Sequence, residues 1–222
     1  MASKIDDKMK MVSFITDENL LPVVEQILAS VEEGKEESIQ VQIATKGYEN
    51  RKDPKMTKEI KFPYQMRKNM DTCAIGDENA KRIAEEQNIP FANIAEFEGK
   101  SDDKKKQREK FLKNYSYYIC CPNYNKAFNL KEILMKKKTH FMCNSIEQLA
   151  SVYDSCKYTY KLRIKDWHSI SFPVGFTGLT KEQIVENIKY AIQFLADNLK
   201  KGPMNIKDCY IKRTTGERIK IH

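Results

Sequence analysis

The residues best able to do covalent chemistry are the adjacent Cys120 and Cys121 and, downstream of them, His140. A thiol becomes an effective nucleophile when a histidine lies within hydrogen-bond reach and a third group orients that histidine. Here the cysteines fall in an apolar stretch typical of a buried strand, and the sequence places no carboxylate to orient His140. We therefore predict no catalytic residue and no enzymatic activity. An enzyme that acts on a small molecule is the least favoured alternative.

Motifs for metals and nucleotides are also missing from the sequence. The six cysteines include no Cys-x-x-Cys pair and the three histidines stand apart, so the spacing of a structural zinc site is not met. Neither Gly-x-Gly-x-x-Gly nor Gly-x-x-x-x-Gly-Lys occurs. The sequence predicts no metal and no cofactor, and it predicts that the cysteines are reduced, buried thiols.

The charge distribution indicates binding of a polyanion instead. The 222 residues carry a formal net charge of +8. Residues 46–68 contain eight basic and three acidic side chains, residues 100–140 twelve and four, and residues 200–222 seven and two, whereas residues 1–46 contain five and nine. Because each Lys or Arg bound to a phosphate releases a counterion, three basic segments favour nucleic acid as the partner. On composition alone, solvated helix faces remain an equal alternative.

Hydropathy sets the broad class of the protein. Apolar residues occur in short periodic runs, without the stretch of ~18 residues that spans a membrane. The first ten residues are polar and mixed in charge, and they lack the apolar core of a secretory signal. We therefore expect a cytosolic protein with one large domain or two small ones.

The elements that position the basic segments follow from hydrophobic periodicity. Toward the two ends of the chain, strands are predicted at 38–45, 59–64, 158–164, 170–174 and 206–213, and helices at 17–33 and 180–201. The last helix has the clearest beginning, because Thr180 and Gln183 have the spacing of a capping box. Strands 38–45 and 59–64 are predicted to pair antiparallel across the basic loop that joins them.

The middle of the chain has a different pattern. Predicted strands at 71–76, 89–94 and 117–121 alternate with predicted helices at 77–87, 99–114, 126–138 and 145–156, which is typical of a parallel sheet covered by helices. The predicted fold class is α/β. An α+β two-layer domain from both termini, residues 1–67 and 157–222, carries an inserted three-layer α/β domain, residues 68–156. Two chain crossings between the domains form a hinge.

These segments carry motifs that resemble a known family. The stretch VGFTGLTKEQIVENI at 174–188 and the closing CYIKRTTG at 209–216 resemble the C-terminal part of the ribosomal protein L-one family in its eukaryotic form, L-ten-a. SIQVQIATKGY at 38–48 and CAIGD at 73–77 are similar to the family's first strand and to the beginning of its inserted domain. The resemblance covers nearly the whole chain, most closely after Val174 and least closely between Cys121 and Cys143.

The resemblance implies a structural protein of the large ribosomal subunit. Such a protein binds large-subunit ribosomal RNA, forms the mobile stalk at the tRNA exit site and assists release of deacylated tRNA. The implied inserted domain is Rossmann-like. The implied partners are the stalk helices of the ribosomal RNA, exit-site tRNA and other large-subunit components, with no membrane, and the implied location is the cytoplasmic ribosome. A ribosome-assembly factor of the same fold, which would bind pre-ribosomal RNA, is the nearest alternative.

Carried over by position, the implied RNA contacts lie in two segments. The loop after the first strand contributes Lys46, Tyr48, Arg51, Lys52, Lys55, Thr57 and Lys58, and the turn after the strand 206–213 contributes Lys212, Arg213, Thr214, Thr215 and Gly216. Glycine lets the backbone approach sugar and phosphate, threonine hydroxyls can bond to 2′-hydroxyls, and lysines supply charge. The family usually has serine at the position of Arg213 and methionine at that of Thr215.

A third set of candidates lies in the inserted domain. Lys136, Lys137 and Lys138 retain positive charge where the family usually has a glycine-rich loop. The resemblance makes them the residues of that domain that could face tRNA or ribosomal RNA.

Overall fold

The computed structural model describes residues 15–31, 35–49, 51–99, 101–128 and 138–222. Contacts between Cα atoms divide the chain into two units. One contains the residues up to Lys68 together with those from Tyr158 onward, and the other runs from Asn69 to Lys157.

The first unit is built on an antiparallel sheet. Its strands are β1 (Ser38–Thr45), β8 (Ser169–Phe176), β9 (Ile206–Arg213) and β10 (Ile219–Lys220), in the order β10-β9-β1-β8. The helices α1 (Asp17–Ala29) and α5 (Lys181–Asn198) share one apolar core with this sheet. Residues of β1 alternate between buried and half-buried, and Ile39, Val41 and Ile43 are fully buried. Each such side chain contributes about 1.5–3 kcal/mol, so this face holds the two layers together.

The capping box predicted for the last helix is confirmed. The Thr180 hydroxyl accepts from the Gln183 N–H, and the Gln183 side chain accepts from the Thr180 N–H. These two bonds satisfy N–H groups that the first turn of a helix leaves without intrahelical partners. Helix α5 therefore begins at Lys181, as the sequence indicates.

The predicted pairing of the first two strands is wrong. Strand β2 (Met56–Lys61) pairs antiparallel with β7 (Thr159–Ile164) in a separate two-stranded sheet, with Ile60 opposite Tyr160. Both edges of β1 are already occupied, one by β8 and the other by β9. A period of two reveals which face of a strand is buried, but the partner strand depends on the tertiary fold.

The second unit contains a parallel sheet covered on both faces. Its strands are β3 (Thr72–Gly76), β4 (Phe91–Asn93), β5 (Tyr117–Cys120) and β6 (Thr139–Met142), in the order β4-β3-β5-β6. Helices α2 (Glu78–Glu86) and α4 (Leu149–Cys156) pack on one face, and α3 (Asp102–Asn114) packs on the other. This arrangement is a three-layer α/β unit, and with the first unit it confirms the predicted fold class.

Several boundaries differ from the sequence prediction. Most of the predicted helix 126–138 lies outside the described residues, and strand β6, which was not predicted, begins at Thr139. The predicted helix 145–156 begins with a 3-10 segment, Ile146–Gln148, before α4. Within the described residues, the other 3-10 segments are Ile94–Glu96, Tyr124–Lys126 and Gly202–Asn205.

The six cysteines are free thiols with buried side chains. Burial raises the pKa of Cys121 to about 12, and that of Cys209 likewise to about 12, so neither thiol is a reactive thiolate near neutral pH. Among the described residues, no three or more His, Cys, Asp and Glu side chains are grouped to hold a metal ion. None of the helices within the described ranges is long and apolar enough to cross a membrane.

Candidate nucleic-acid interface

The two predicted RNA-contact segments of the first unit lie at opposite ends of β1. At the beginning of β1, Ile39 pairs with Arg213 of β9, and at its end Thr45 pairs with Ile206. An eight-residue strand rises about 3.3 Å per residue, which separates the ends by about 23 Å. We call residues Lys212–Gly216 the Gly216 turn and residues Lys46–Lys58 the basic loop. They form two surfaces.

The Gly216 turn is held by hydrogen bonds to the main chain at the beginning of β1. Both the N–H and the hydroxyl of Thr214 donate to the carbonyl oxygen of Ser38, at 3.1 and 3.2 Å. The Gly216 N–H donates to the carbonyl oxygen of Arg213 at 3.3 Å and closes the turn. Thr214 and Thr215 are exposed, whereas Lys212, Arg213 and Gly216 are half-buried.

Glu37 is the centre of the contacts around this turn. Its carboxylate accepts from the Thr215 N–H at 3.1 Å, from the Thr215 hydroxyl at 2.8 Å and from Arg213 Nη1 at 3.1 Å. Its own backbone is joined to Thr177 by two hydrogen bonds, one donated by each residue. The Thr215 N–H, the Thr215 hydroxyl and the nearby Arg213 charge together hold the pKa of Glu37 below its ordinary value, so it is a carboxylate at neutral pH.

The Arg213 side chain occupies the space that a Cβ at position 216 would need. A Cβ at position 216 would lie 2.4 Å from Arg213 Cγ and 2.7 Å from Arg213 Nε. Any larger residue would therefore displace the Arg213 side chain from its place beside Glu37. This finding gives Gly216 a structural reason in addition to the close approach to RNA that the resemblance implies.

The basic loop is anchored to the end of α5 and the segment that follows it. The buried Asn205 side chain donates to the Lys46 carbonyl oxygen at 2.8 Å and accepts from the Lys201 N–H at 2.6 Å. Asp53 accepts from the Glu49 N–H and forms an ion pair with Lys200. The Lys200 contact and the Glu49 N–H hold the pKa of Asp53 below its ordinary value.

The cations of the basic loop differ in how they are held. Lys52 pairs with Glu49 at 2.8 Å, with both side chains largely exposed, and the Lys58 ammonium donates to the Asn198 side chain. Lys46, Arg51 and Lys55 are exposed and form no ion pair with the described part of the chain. Thr57 is exposed on β2. Of the loop residues, Lys46, Arg51 and Lys55 are therefore the best placed to bind a phosphate backbone.

The structure places Tyr48 in the core and not on the predicted contact surface. Its side chain is 6% exposed, and its ring stacks on Trp167 with centroids 4.2 Å apart. Its hydroxyl accepts from the Lys200 N–H at 2.8 Å, and the Lys200 ammonium lies 5.0 Å from the ring centroid. Because its ring is already covered by protein, Tyr48 offers no free face to a base. It supports the basic loop instead, through its contacts with Trp167 and Lys200.

The candidates in the second unit are placed only in part. Lys136 and Lys137 lie outside the described residues. The Lys138 ammonium donates to the carbonyl oxygens of Tyr115 at 2.5 Å and Lys113 at 3.5 Å, at the end of α3. Cations are favourable at this end of a helix, where carbonyl groups lack intrahelical partners. Two donors of the Lys138 ammonium are therefore used within the second unit, and the RNA-facing role of this residue stays a prediction.

Three residues that shape the two surfaces carry no recognisable signal in the sequence. Glu37 lies among other acidic residues and carries no motif, and Asn205 looks like an ordinary polar residue after a helix. Lys200 is one of several lysines in the basic C-terminal segment and is not distinguished from them by sequence. No local signal could have identified them, because each acts on a residue more than 140 positions away in the chain.

The fold and the two surfaces define a class. An antiparallel unit built from both ends of the chain, a parallel-sheet insert and an exposed cationic loop are features expected of a nucleic-acid-binding protein that uses charge and backbone contacts. The family model of the Ribosomal protein L1p/L10e family matches residues 24–217, and the chain belongs to that family.

Curated relatives agree with this assignment. The chain is 37% identical to the large ribosomal subunit protein uL1 of Encephalitozoon cuniculi over 201 residues, which cover 90% of this chain and 91% of the relative. It is 30% identical to the uL1 proteins of Entamoeba histolytica and Caenorhabditis elegans, each over 84% of this chain and 88% and 87% of the relatives. The family predicted from the sequence is confirmed.

Proposed function

We propose that this protein is a structural component of the large ribosomal subunit and binds large-subunit ribosomal RNA. Membership of the ribosomal family over most of the chain is the observation that carries the proposal. The Gly216 turn supports it, because its exposed threonines and its closely packed glycine suit contacts to sugar and backbone.

The finer part of the proposal concerns the stalk. We propose that the unit built from both ends of the chain binds the stalk helices at the tRNA exit site of the cytoplasmic ribosome. In this proposal the protein assists release of deacylated tRNA, and its chemistry is recognition of RNA without catalysis. The exposed cations of the basic loop support an additional phosphate contact, either to the stalk or to exit-site tRNA.

A competition experiment tests the proposal. Purified protein is titrated with the isolated stalk segment of the large-subunit RNA over a salt series, with an unrelated structured RNA of equal length as competitor. We expect the stalk segment to bind at least about a hundredfold more tightly, or about 2.7 kcal/mol, at physiological salt. Equal affinities for both RNAs with a steep salt dependence would reduce the protein to a general polyanion binder and overturn the proposal.

A second arm separates the proposal from its nearest alternative. The protein is tagged in cells and its sedimentation is compared between mature ribosomes and precursor particles. A stoichiometric presence in mature large subunits is expected. Confinement to precursors would contradict the structural role and favour an assembly factor.

A further inference from the structure

The N–H and hydroxyl donors of Thr214 and Thr215 and the N–H of Gly216 are already used inside the protein. The hydroxyls of Thr214 and Thr215 donate to Ser38 and Glu37, and so do the N–H groups of the same two threonines. The Gly216 N–H donates to the Arg213 carbonyl oxygen. What the threonines present to solvent is therefore a set of oxygen acceptors, which suit 2′-hydroxyl donors better than phosphate oxygens.

The charge of Arg213 is likewise satisfied within the protein. Its Nη1 lies 3.1 Å from Glu37 Oε1, and the two side chains are only 19% and 11% exposed. A pair this well shielded interacts more strongly than an exposed pair. If Arg213 turned outward to a phosphate, it would leave Glu37 as a half-buried carboxylate next to the RNA backbone, at a cost in desolvation and repulsion.

We infer that Glu37 is a positioning residue for RNA binding: it fixes the Gly216 turn and neutralises Arg213, so that Arg213 supports the turn and does not bind phosphate. This inference rests on the proposed function and deepens it by assigning the turn to sugar recognition. It differs from the expectation drawn from the sequence, in which Arg213 was one of the residues that contact RNA.

The test compares Glu37→Gln, Arg213→Gln and the double variant with the parent protein. Each is titrated with the isolated stalk RNA over a salt series. We expect each single variant to weaken binding about tenfold, because a hydrogen-bonded charge loses its partner. The double variant should be no weaker than the worse single variant, since the two residues act as a unit. The slope of log affinity against log salt should change by less than about half a unit in Arg213→Gln.

A direct contact between Arg213 and a phosphate would give a different result. If Arg213 binds a phosphate, Arg213→Gln lowers the salt slope by about 0.7–0.9 unit and its loss adds to that of Glu37→Gln. That result would overturn the inference. Glu217→Gln serves as the matched control, because Glu217 is an exposed carboxylate close to the turn, and it should leave affinity within about twofold.

A measurement without RNA separates this inference from the proposed function. Hydrogen exchange of the Thr215 amide in the free protein should accelerate at least about tenfold in Glu37→Gln, with the overall stability in denaturant changed much less. Unchanged exchange would overturn the positioning role even if the RNA bound well. Fast exchange together with failure of the parent protein to select the stalk RNA would refute the proposed function alone.

Discussion

The segments at the two ends of β1, the Gly216 turn and the basic loop, are held in place by different kinds of contact. At one end, the Gly216 turn is shaped by the carboxylate of Glu37, which binds Arg213 and Thr215 and pairs with the charge of Arg213. At the other end, the basic loop is shaped by the buried Asn205 amide and the Tyr48 ring, so that several of its charges remain on the surface. The Gly216 turn therefore presents fixed hydrogen-bond acceptors, and the basic loop presents exposed cations.

We expect the Gly216 turn to provide specificity for RNA and the basic loop to provide general attraction to phosphate. A surface of fixed acceptors recognises the sugar edge of a particular RNA conformation and depends little on salt, whereas exposed cations attract any phosphate backbone and depend strongly on salt. Because the two surfaces adjoin opposite ends of β1, which lie about 23 Å apart, substitutions at one end can be studied without touching the other.

The largest effect is expected at the support of the basic loop. Tyr48→Ala removes the ring that stacks on Trp167 and should lower the free energy of unfolding by about 3 kcal/mol, measured by denaturant titration. Tyr48→Phe removes only the acceptor of the Lys200 N–H and should lower it by about 1 kcal/mol. If Tyr48 were a direct RNA contact, both variants would instead reduce RNA affinity at unchanged stability.

The second prediction concerns the geometry of the turn. Gly216→Val should reduce affinity for the stalk RNA about tenfold, because the new side chain displaces Arg213 and loosens its contact with Glu37. The salt slope should stay the same, since no phosphate-binding charge is lost. Thr214→Ser keeps the hydroxyl that bonds to Ser38 and is expected to bind within twofold of the parent, about 0.4 kcal/mol. A reduced slope in Gly216→Val would show that the turn binds through charge.

The third prediction addresses the charge of the loop. Replacing Lys46, Arg51 and Lys55 by Gln should flatten the salt slope by about 0.7–0.9 unit for each phosphate contact and weaken binding most at low salt. Lys61→Gln, at the far end of β2, is the control for loss of an exposed lysine outside the loop. A slope that is unchanged after all three replacements would remove the basic loop from the interface.

The smallest effect is expected from pH. Because its contacts with Thr215 and Arg213 lower the pKa of Glu37 below 4.5, the carboxylate gives its full stabilisation above that value and loses it as the pH falls through the lowered pKa. The difference in unfolding free energy between the parent and Glu37→Gln should therefore be constant from pH 7 to about pH 5 and shrink below that. A difference that grows on acidification would contradict the assigned role of the carboxylate.

Local pattern was sufficient for much of the fold. The strands β1 and β9 have the bounds that alternation predicts, and α5 begins where the capping box places it. The helices and strands of the second unit follow a βαβ rhythm that indicates a parallel sheet before any contact is known. The positions of the basic loop and of the Gly216 turn could likewise be read from motifs. These features depend on residues close together in the chain.

The errors share a cause, which is the range of the interaction involved. Strand β2 pairs with β7, about a hundred residues away, and its own sequence carries no mark of that partner. Tyr48 looked like an accessible aromatic residue in a polar loop, but Trp167 covers it. Lys138 belongs to a cationic run in the sequence, but its ammonium donates to the carbonyl oxygen of Tyr115, just after the end of α3. In each case the side chain meets a partner that only folding brings near.

The sequence by itself determined the α/β class, the family, and the positions of two polar segments to which the family resemblance assigns RNA contacts, because periodicity, capping and motif spacing depend on neighbouring residues. The tertiary structure alone decided that these segments occupy opposite ends of one strand, and that Glu37 joins Arg213 across 176 positions of the chain. An ion pair forms where two charges share a desolvated site, and that site exists only after β1 and β9 have paired.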